Sequence, residues 1–315
     1  MAEMVKKATR ESFGETVTAL AAEYPEIVVL DADLAAATKT GIFKKAYPER
    51  FFDCGIAECN MVGVAAGLAT CGKIPFAASF AMFSAGRAFE QVRNSVGYPK
   101  LNVKIVGSHA GISVGEDGAT HQCCEDIALM RTIPGMVILN PCDHYEMQAA
   151  VRAAVEHKGP CYIRLGRLAV ESINNNDDYK FELGKGIVLR DGSDVTIVAT
   201  GLMVNEALQS AEVLAAEGIS ARVVNIHTIK PLDKELVCKC AKETGVIVTA
   251  EEHSIIGGLG SAVAEAVTEC CPVPVIKVGV NDVFGHSGPA VDLLKEFGLS
   301  AENIAVNARK AVSLK

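Results

Sequence analysis

Residues 103–122 read VKIVGSHAGISVGEDGATHQ, and this stretch decides the fold class. It opens with the β-branched run Val103–Gly107, which is typical of a buried parallel strand. A loop with several glycines, two histidines and two acidic residues follows, and it has little apolar reason to be ordered. Two interpretations are open: a solvated loop with incidental histidines, or a functional loop whose glycines let the backbone approach a ligand.

Helix and strand patterns alternate on both sides of this stretch, which predicts an α/β fold with mainly parallel sheets. Further strands are predicted at Ile27–Leu30, Ile74–Phe80, Val137–Leu139, Tyr162–Leu165, Val195–Ala199, Ala221–Ile226, Val246–Thr249 and Val273–Val278, and helices at Asn60–Cys71, Ala85–Ser95, His144–His157, Lys234–Thr244 and Ser261–Cys271. The polar run Asn174–Asp178 predicts an exposed linker. We therefore expect a first domain over residues 1–170, a linker over 171–190 and a smaller α/β domain over 191–315.

Composition argues against several classes of protein. The 315 residues carry a net charge of −8 without a conspicuous cluster of lysine and arginine, which argues against a nucleic-acid groove. The most apolar region, Val62–Gly86, is interrupted by Lys73 and Pro75 and does not predict a membrane span. The charged segment Met1–Arg10 has no apolar core of a secretory signal. We expect a cytoplasmic protein with neither a membrane nor a nucleic-acid partner.

The eleven cysteines do not have the spacing of a disulfide scaffold, and several lie inside apolar runs. They are predicted to be reduced, small, buried residues. Cys238 and Cys240 form an isolated Cys-x-Cys pair, which does not predict a zinc site.

Three other segments hold candidate functional residues. Gly55–Met61 places Glu58 between a strand end and a helix start, where it serves either as a helix cap or as a site carboxylate. Arg164–Arg167 ends a strand with two guanidinium groups, which suit either a phosphate or a surface ion pair. Ile256–Ser261 is rich in glycine but lacks the nucleotide-binding fingerprint, so a tight turn is the better interpretation.

Six motifs in the same order resemble the transketolase family over essentially the whole chain. They are Ala8-Thr9-Arg10, Ala32-Asp33-Leu34, Gly55-Ile56-Ala57-Glu58, Ser79-Phe80-Ala81-Met82-Phe83, His109 with Gly115-Glu116-Asp117-Gly118-Ala119-Thr120-His121-Gln122, and Arg167. The match is to the half of the family's chain that contains the pyrimidine-binding domain and the C-terminal domain. The resemblance thus implies a parallel-sheet domain that binds thiamine diphosphate, followed by a smaller α/β domain suited to packing and dimerisation.

The resemblance implies roles around the cofactor. Thiamine diphosphate reacts after loss of the C2 proton of its thiazolium ring, and the aminopyrimidine in its imino form supplies the base. Glu58 resembles the carboxyl group that bonds the pyrimidine nitrogen N1′ and favours this tautomer. Phe83, with Phe80 nearby, resembles the aromatic surface under the pyrimidine. Asp33 is expected near the cofactor.

A second set of residues resembles the family's substrate-binding groups. His121 and His109 are expected to line the substrate channel, with His121 and Glu58 as the catalytic candidates. Asp117 resembles the acceptor of a hydrogen bond from the substrate C2 hydroxyl. Arg10 and Arg167 resemble the clamp on the phosphate of the aldose substrate.

One position departs from the family pattern. A serine whose hydroxyl helps to hold the phosphate is common where this chain has Ala37. Either Thr38 or Lys39 compensates, or the affinity for phosphate is lower by the value of one neutral hydrogen bond, about 0.5–1.5 kcal/mol.

The family's Gly-Asp-Gly motif, which holds a magnesium ion on the cofactor diphosphate, does not occur in this sequence. The resemblance therefore implies that Mg²⁺ is bound by a separate N-terminal transketolase subunit and that no metal is held here. The expected assembly is a two-fold heterotetramer with two copies of each half, acting on sugar phosphates. Alternatives are half of a deoxyxylulose phosphate synthase-like enzyme, the β subunit of a 2-oxoacid dehydrogenase, or a non-catalytic regulatory subunit.

Overall fold

The computed structural model describes residues 6–174 and 179–315. The strands are β1 Lys6–Ala8, β2 Ile27–Asp31, β3 Phe51–Asp53, β4 Ile74–Phe80, β5 Lys104–Ser108, β6 Val137–Leu139, β7 Cys161–Arg164, β8 Ala169–Glu171, β9 Ile187–Arg190, β10 Val195–Ala199, β11 Ala221–Asn225, β12 Thr228–Lys230, β13 Ile247–Ser254 and β14 Val275–Val280. The helices are α1 Thr9–Leu20, α2 Ala35–Thr38, α3 Gly41–Ala46, α4 Glu58–Thr70, α5 Phe89–Gln91, α6 Asp126–Arg131, α7 His144–Glu156, α8 Met203–Ala216, α9 Lys234–Thr244, α10 Leu259–Cys270, α11 Ala290–Glu296 and α12 Ala301–Val312. Two segments, Met82–Arg87 and Val92–Gly97, are π-helical and flank α5.

The first sheet has seven strands in the order β12-β6-β7-β5-β4-β2-β3. All neighbouring pairs are parallel except β12 with β6. Strands β2 and β5 are buried along their whole length, as expected for a sheet covered by helices on both faces. The carboxyl ends of its parallel strands therefore lie along one edge.

The second sheet has five strands in the order β14-β13-β10-β11-β9, and only β9 is antiparallel to its neighbour. Its helices α8 and α12 cover it with buried apolar faces. The two mainly parallel sheets confirm the predicted α/β class. The helices α11 and α12 after β14 were not predicted from the sequence.

Strand β12 links the two sheets. It follows β11 of the second sheet along the chain, yet it pairs with β6 at the edge of the first sheet. The first sheet thus contains a strand from beyond the predicted linker.

The predicted linker is only partly described. Residues 175–178 of the polar run lie outside the described residues. Asn174, predicted to be exposed, is buried instead, because its N–H donates to Asp143 Oδ2 at 2.8 Å and its side-chain amide approaches Cys142 Sγ at 3.2 Å. A polar side chain is buried readily when local hydrogen bonds satisfy it.

The prediction that the cysteines are all reduced is wrong at one pair. Cys238 on α9 and Cys270 on α10 form a disulfide between two packed helices, with their Cα atoms 6.1 Å apart. The two residues are 32 positions apart in sequence, so the pairing depends on helix packing that spacing does not reveal. Most of the remaining cysteines are buried or half-buried, and Cys71 is exposed.

None of the helices within residues 6–174 and 179–315 is long and apolar enough to cross a membrane.

Candidate active site

The candidate site lies at the carboxyl edge of the first sheet, next to the β2–β4 pair. The chain passes from β2 to β3 on one side, then crosses back over β2 to form β4 on the other. Connections therefore leave β2 and β4 in opposite directions, and open α/β sheets bind ligands in the crevice formed at such a point.

A cleft of about 440 Å³ opens at this point. Its lining residues are Ala32, Asp33, Leu34, Ile56, Glu58, Phe83, Arg87, Thr120 and His121. The cleft thus brings together four of the residues predicted from sequence, which come from four separate segments of the chain. Ile56 at its rim is 77% exposed.

Glu58 is the first residue of α4 and is only 2% exposed. It follows Gly55, whose φ of +68° turns the chain sharply out of β3. Its carboxylate Oε2 accepts a hydrogen bond from Arg87 Nη1 at 2.9 Å. This contact favours the interpretation of Glu58 as a site carboxylate over that of a helix cap.

Arg87 is a site residue that sequence reasoning missed. Its guanidinium bonds Glu58 and also lies over the Phe83 ring, 4.6 Å from the ring centroid. Both Phe83 and Arg87 belong to the π-helical segment Met82–Arg87, and such segments occur frequently at functional sites. Because π-helical turns shift side chains relative to an α-helix, spacing alone did not place Arg87 at the cleft.

Four aromatic rings form a continuous group between the cleft and the strand ends. Phe80 stacks on His109 with centroids 4.0 Å apart and lies nearly parallel to Phe83 at 6.0 Å. The rings of His121 and Phe83 meet edge to face, with their centroids 5.3 Å apart. Phe83 thus lines the cleft with the Arg87 guanidinium over its ring, while Phe80 connects this ring to His109.

Asp33 lies at the mouth of the cleft, where it is exposed and adopts a φ of +62°. Its N–H donates to Asp53 Oδ1 at 3.1 Å. The preceding acid, Asp31, was not predicted from the sequence. It is fully buried and accepts hydrogen bonds from the hydroxyls of Thr38 and Thr40, and burial raises the pKa of its carboxyl.

Arg10, Lys39, His109 and Arg167 form a basic cluster behind Phe80. His109 Nε2 lies 3.1 Å from Arg10 Nη1, and His109 Nδ1 lies 2.8 Å from Ser108 Oγ. Burial, followed by the positive charges of Arg10, Arg167 and Lys39, lowers the pKa of His109 to about 3. Burial and Arg167 also lower the pKa of Arg10. This concentration of positive charge favours an anionic ligand.

The structure around Ala37 distinguishes the two residues that were expected to compensate for the missing serine, Thr38 and Lys39. The Thr38 hydroxyl is buried and bonded to Asp31, so it does not replace the missing serine hydroxyl. Lys39 contributes charge to the basic cluster. Arg10 Nη1 donates to the main-chain oxygen of Ala37 at 2.9 Å, which holds its guanidinium beside this turn.

The loop His109–Gln122 is ordered over its first half rather than solvated. Residues 109–115 are buried, and Gly111 pairs with Cys123 in an antiparallel bridge. Arg167 donates to the main-chain oxygen of Val114 and forms an ion pair with Glu116 at 2.6 Å. Asp117 is exposed further along the loop and does not line the cleft, so the structure does not bring it together with Glu58.

Arg164 does not belong to the basic cluster. It is buried and forms an ion pair of 2.8 Å with the fully buried Asp126, which also accepts from the Tyr162 hydroxyl. Burial alone would raise the pKa of Asp126, but the charge of Arg164 opposes this, and the pKa is lowered. Arg164 is therefore a buried ion-pair residue, neither of the two roles weighed from sequence.

Residues 5–172 match the family model of the transketolase pyrimidine-binding domain, and residues 184–304 match that of the transketolase C-terminal domain. The chain belongs to the transketolase family. The predicted family and its two-domain fold are thereby confirmed.

The relatives of this transketolase-family chain include proteins of similar length. It is 54% identical over 303 residues to the putative transketolase C-terminal section of Methanocaldococcus jannaschii, covering 96% of this chain and 95% of the relative. It is 48% identical over 306 residues to the 6-deoxy-6-sulfo-D-fructose transketolase subunit SqwH of Clostridium sp., covering 97% and 95%. A solved structure described as a split gene transketolase, inactive beta4 tetramer, matches with a TM-score of 0.91 and 56% identity over 98% of this chain and 99% of that one.

The cleft fits one end of the thiamine diphosphate that the family implies. Glu58 supplies a buried carboxylate and Phe83 an aromatic ring in the same cleft, and Arg87 contacts both groups. Within residues 6–174 and 179–315, no group of three or more His, Cys, Asp or Glu side chains is placed to hold a metal ion.

Proposed function

We propose that this chain is the C-terminal subunit of a split transketolase, which transfers a two-carbon ketol unit from a ketose phosphate to an aldose phosphate. The observation that carries the proposal is that Glu58 and Phe83 line the same cleft. The basic cluster lies next to this cleft, on the far side of Phe80. A carboxylate beside an aromatic face suits an aminopyrimidine, and clustered positive charge suits an anionic sugar.

Bound thiamine diphosphate would supply a carbon nucleophile that adds to a ketose carbonyl. The role proposed for Glu58 is to share a proton with the pyrimidine N1′, which a buried carboxyl does without competition from water. Phe83 would support the pyrimidine face, with Phe80 behind it and Asp33 at the cleft mouth. His121, which also lines the cleft, would contact the substrate hydroxyls.

The basic cluster is proposed to hold the anionic group of the substrate. Arg10 and Arg167 each offer charge-assisted donors, and His109 remains neutral at pH 7 because its pKa is lowered to about 3. A neutral imidazole can both donate and accept a hydrogen bond to a sugar. Asp117 is proposed to meet the substrate C2 hydroxyl from the loop His109–Gln122.

A sulfonated sugar is a second candidate substrate, because a relative is named for 6-deoxy-6-sulfo-D-fructose. Sulfonate and phosphate are both tetrahedral anions, so the basic cluster accommodates the charge of either. Because Ala37 has no hydroxyl, the cluster has one neutral donor fewer than the family pattern. A competition experiment between a phosphorylated and a sulfonated sugar would decide which anion is preferred.

The second half of the cofactor site is proposed to come from an N-terminal subunit that binds the diphosphate through Mg²⁺. The cleft of this chain is lined by residues suited to the pyrimidine, with no candidate metal cluster among the described residues. We propose a two-fold assembly with two copies of each subunit.

The test is reconstitution of the two subunits. The full chain, a candidate N-terminal subunit of similar length, thiamine diphosphate and MgCl₂ are mixed, and ketol transfer from xylulose 5-phosphate to ribose 5-phosphate is measured. We expect transfer only in the complete mixture. Release of CO₂ from pyruvate, with no ketol transfer, would favour a deoxyxylulose phosphate synthase or a 2-oxoacid dehydrogenase half. No transfer with both chains folded would favour the regulatory subunit.

A further inference from the structure

The second sheet contributes a buried carboxylate to the back of the loop His109–Gln122. Glu252 on β13 is 3% exposed, and its Oε1 accepts a hydrogen bond of 2.7 Å from the N–H of Ser113. Gly111 has a φ of +84°, and a Cβ atom there would lie 2.4 Å from the Glu252 carboxyl carbon. The loop backbone thus rests directly on this side chain, which only glycine permits.

The same residue is connected to the basic cluster by two short routes. Val114, next to Ser113, accepts a hydrogen bond from Arg167 Nη1 through its main-chain oxygen. The main-chain oxygen of Glu252 accepts from Arg164 Nη2 at 2.8 Å, three residues before Arg167. The Glu252 side chain therefore restrains the loop that Arg167 bonds. Its main-chain oxygen, which every substitution keeps, restrains the segment that carries Arg167.

We propose that Glu252 is a positioning residue, through which the C-terminal domain holds the loop His109–Gln122 and Arg167 in place for the anionic group of the substrate. The inference rests on the proposed function for its kinetic consequence but not for the loop contact. It assigns the second sheet a part in substrate binding beyond packing and dimerisation.

The adjacent Glu251 provides a matched control. It is equally buried on β13, but its carboxylate accepts from the N–H groups of Leu259 and Gly260 at the start of α10, away from the loop. Loss of either carboxylate removes backbone hydrogen bonds from a buried site. Only loss of Glu252 removes a bond to the loop.

The experiment compares Glu252→Ala, Glu252→Gln and Glu251→Ala in the full chain and in the reconstituted enzyme. Hydrogen–deuterium exchange measures protection of the Ser113 amide. Steady-state kinetics measure KM for ribose 5-phosphate and, separately, KM for hydroxypyruvate, a donor without phosphate. Burial raises the pKa of the Glu252 carboxyl, although Arg164 opposes this, so the neutral amide of Gln is tolerated and keeps an acceptor for Ser113.

We expect Glu252→Ala to speed exchange at Ser113 by about tenfold or more and to raise KM for ribose 5-phosphate by a similar factor, with KM for hydroxypyruvate changed less than about twofold. Glu252→Gln should keep both the exchange rate at Ser113 and KM for ribose 5-phosphate close to their wild-type values. Glu251→Ala should lower stability while leaving the loop and both KM values as in the wild type.

Equal effects of Glu251→Ala and Glu252→Ala, or unchanged exchange at Ser113, would overturn the proposal. If Glu252→Ala does not fold, Glu252→Asp, which withdraws the carboxylate by one methylene, is measured in the same way and with the same expectations. If even the wild type shows no ketol transfer, the proposed function has failed, and the exchange measurement alone decides the positioning role.

Discussion

Glu58 combines near-complete burial with a place in the cleft beside an aromatic ring and a guanidinium group. The residue that forms an ion pair with it, Arg87, is half exposed and comes from a different segment of the chain. The sequence motif located Glu58, but the partner depends on the π-helical turn that carries it.

Replacement of Glu58 by Gln removes the proton-sharing group while keeping its shape. We expect binding of thiamine diphosphate to the reconstituted enzyme to remain measurable, while turnover falls at least about 100-fold, as for other lost acid–base groups. Glu206→Gln is the control, since Glu206 is a half-buried carboxylate that bonds the N–H of Ala301 in the second domain. Near-normal turnover of Glu58→Gln would remove its catalytic role.

Arg167 is the second residue whose role is separable by substrate. Arg167→Ala should raise KM for ribose 5-phosphate by about tenfold or more, because charge-assisted bonds to a phosphate are lost, with little effect on hydroxypyruvate. Arg152→Ala, which breaks only an exposed ion pair with Glu23, should change neither. Equal losses on both substrates with Arg167→Ala would contradict the assignment to the anion.

At the scale of elements, the apolar pattern predicted several interior strands and one helix best. Strands β4, β6 and β10 and helix α9 have the predicted bounds, because each combines a clear apolar pattern with flanking turn residues. The short edge strands β3, β9 and β12 were missed. Their pairing depends on a partner strand that is distant in sequence, which no local pattern encodes.

The site residues show the same difference between what a local pattern reveals and what depends on distant contacts. Residues inside family motifs, such as Glu58 and Phe83, line one cleft, although their predicted roles stay predictions. Arg87 and Glu252 were missed because one depends on a π-helical turn and the other on contact between domains. Arg164 was a candidate for the anion, but its ion pair depends on the fold, which brings Asp126 at the start of α6 to the end of β7.

The connection between β11 and β12 contains a buried histidine that titrates on unfolding. His227 stacks on Phe181 at 4.2 Å, and burial lowers its pKa to about 4 from an ordinary value of 6.5. Between these two pH values the unfolded chain binds the proton and the folded chain does not. The stability that the neutral ring contributes is thus full above pH 6.5 and is lost as the pH falls toward 4.

His227→Phe keeps the ring and removes the titration. Urea unfolding between pH 7.5 and 4.5 should therefore show a fall in free energy with decreasing pH that is less steep than in the wild type, by up to about 1.4 kcal/mol per pH unit. His286→Gln is the control. Glu296 raises the pKa of this exposed histidine, so its contribution to the pH dependence of stability has the opposite sign to that of His227. Identical slopes for His227→Phe and the wild type would contradict the assignment.

At the scale of the whole molecule, the first sheet holds the cleft and the basic cluster, while the second sheet supports the loop His109–Gln122 from behind. Strand β12 and the contacts of β13 make the two domains mutually dependent. The exposed rim of the cleft, including Ile56, is where the proposed partner subunit would close over the cofactor.

Chelation separates the proposed metal requirement of the assembly from the stability of this chain. EDTA should abolish binding of thiamine diphosphate and ketol transfer in the reconstituted enzyme, because the metal is proposed to bridge the diphosphate to the partner. The thermal unfolding midpoint of the isolated chain should be unchanged, since its described residues offer no metal cluster. A lower midpoint with EDTA would place a metal in this subunit.

The most direct test of the account is a crystal structure of the two subunits assembled with thiamine diphosphate and Mg²⁺. We predict that a carboxylate oxygen of Glu58 lies within about 2.6–3.0 Å of the pyrimidine N1′, with the ring stacked on Phe83 and the metal bound by the partner subunit. A Glu58 side chain directed away from the pyrimidine, or a cofactor bound outside the cleft, would contradict the account.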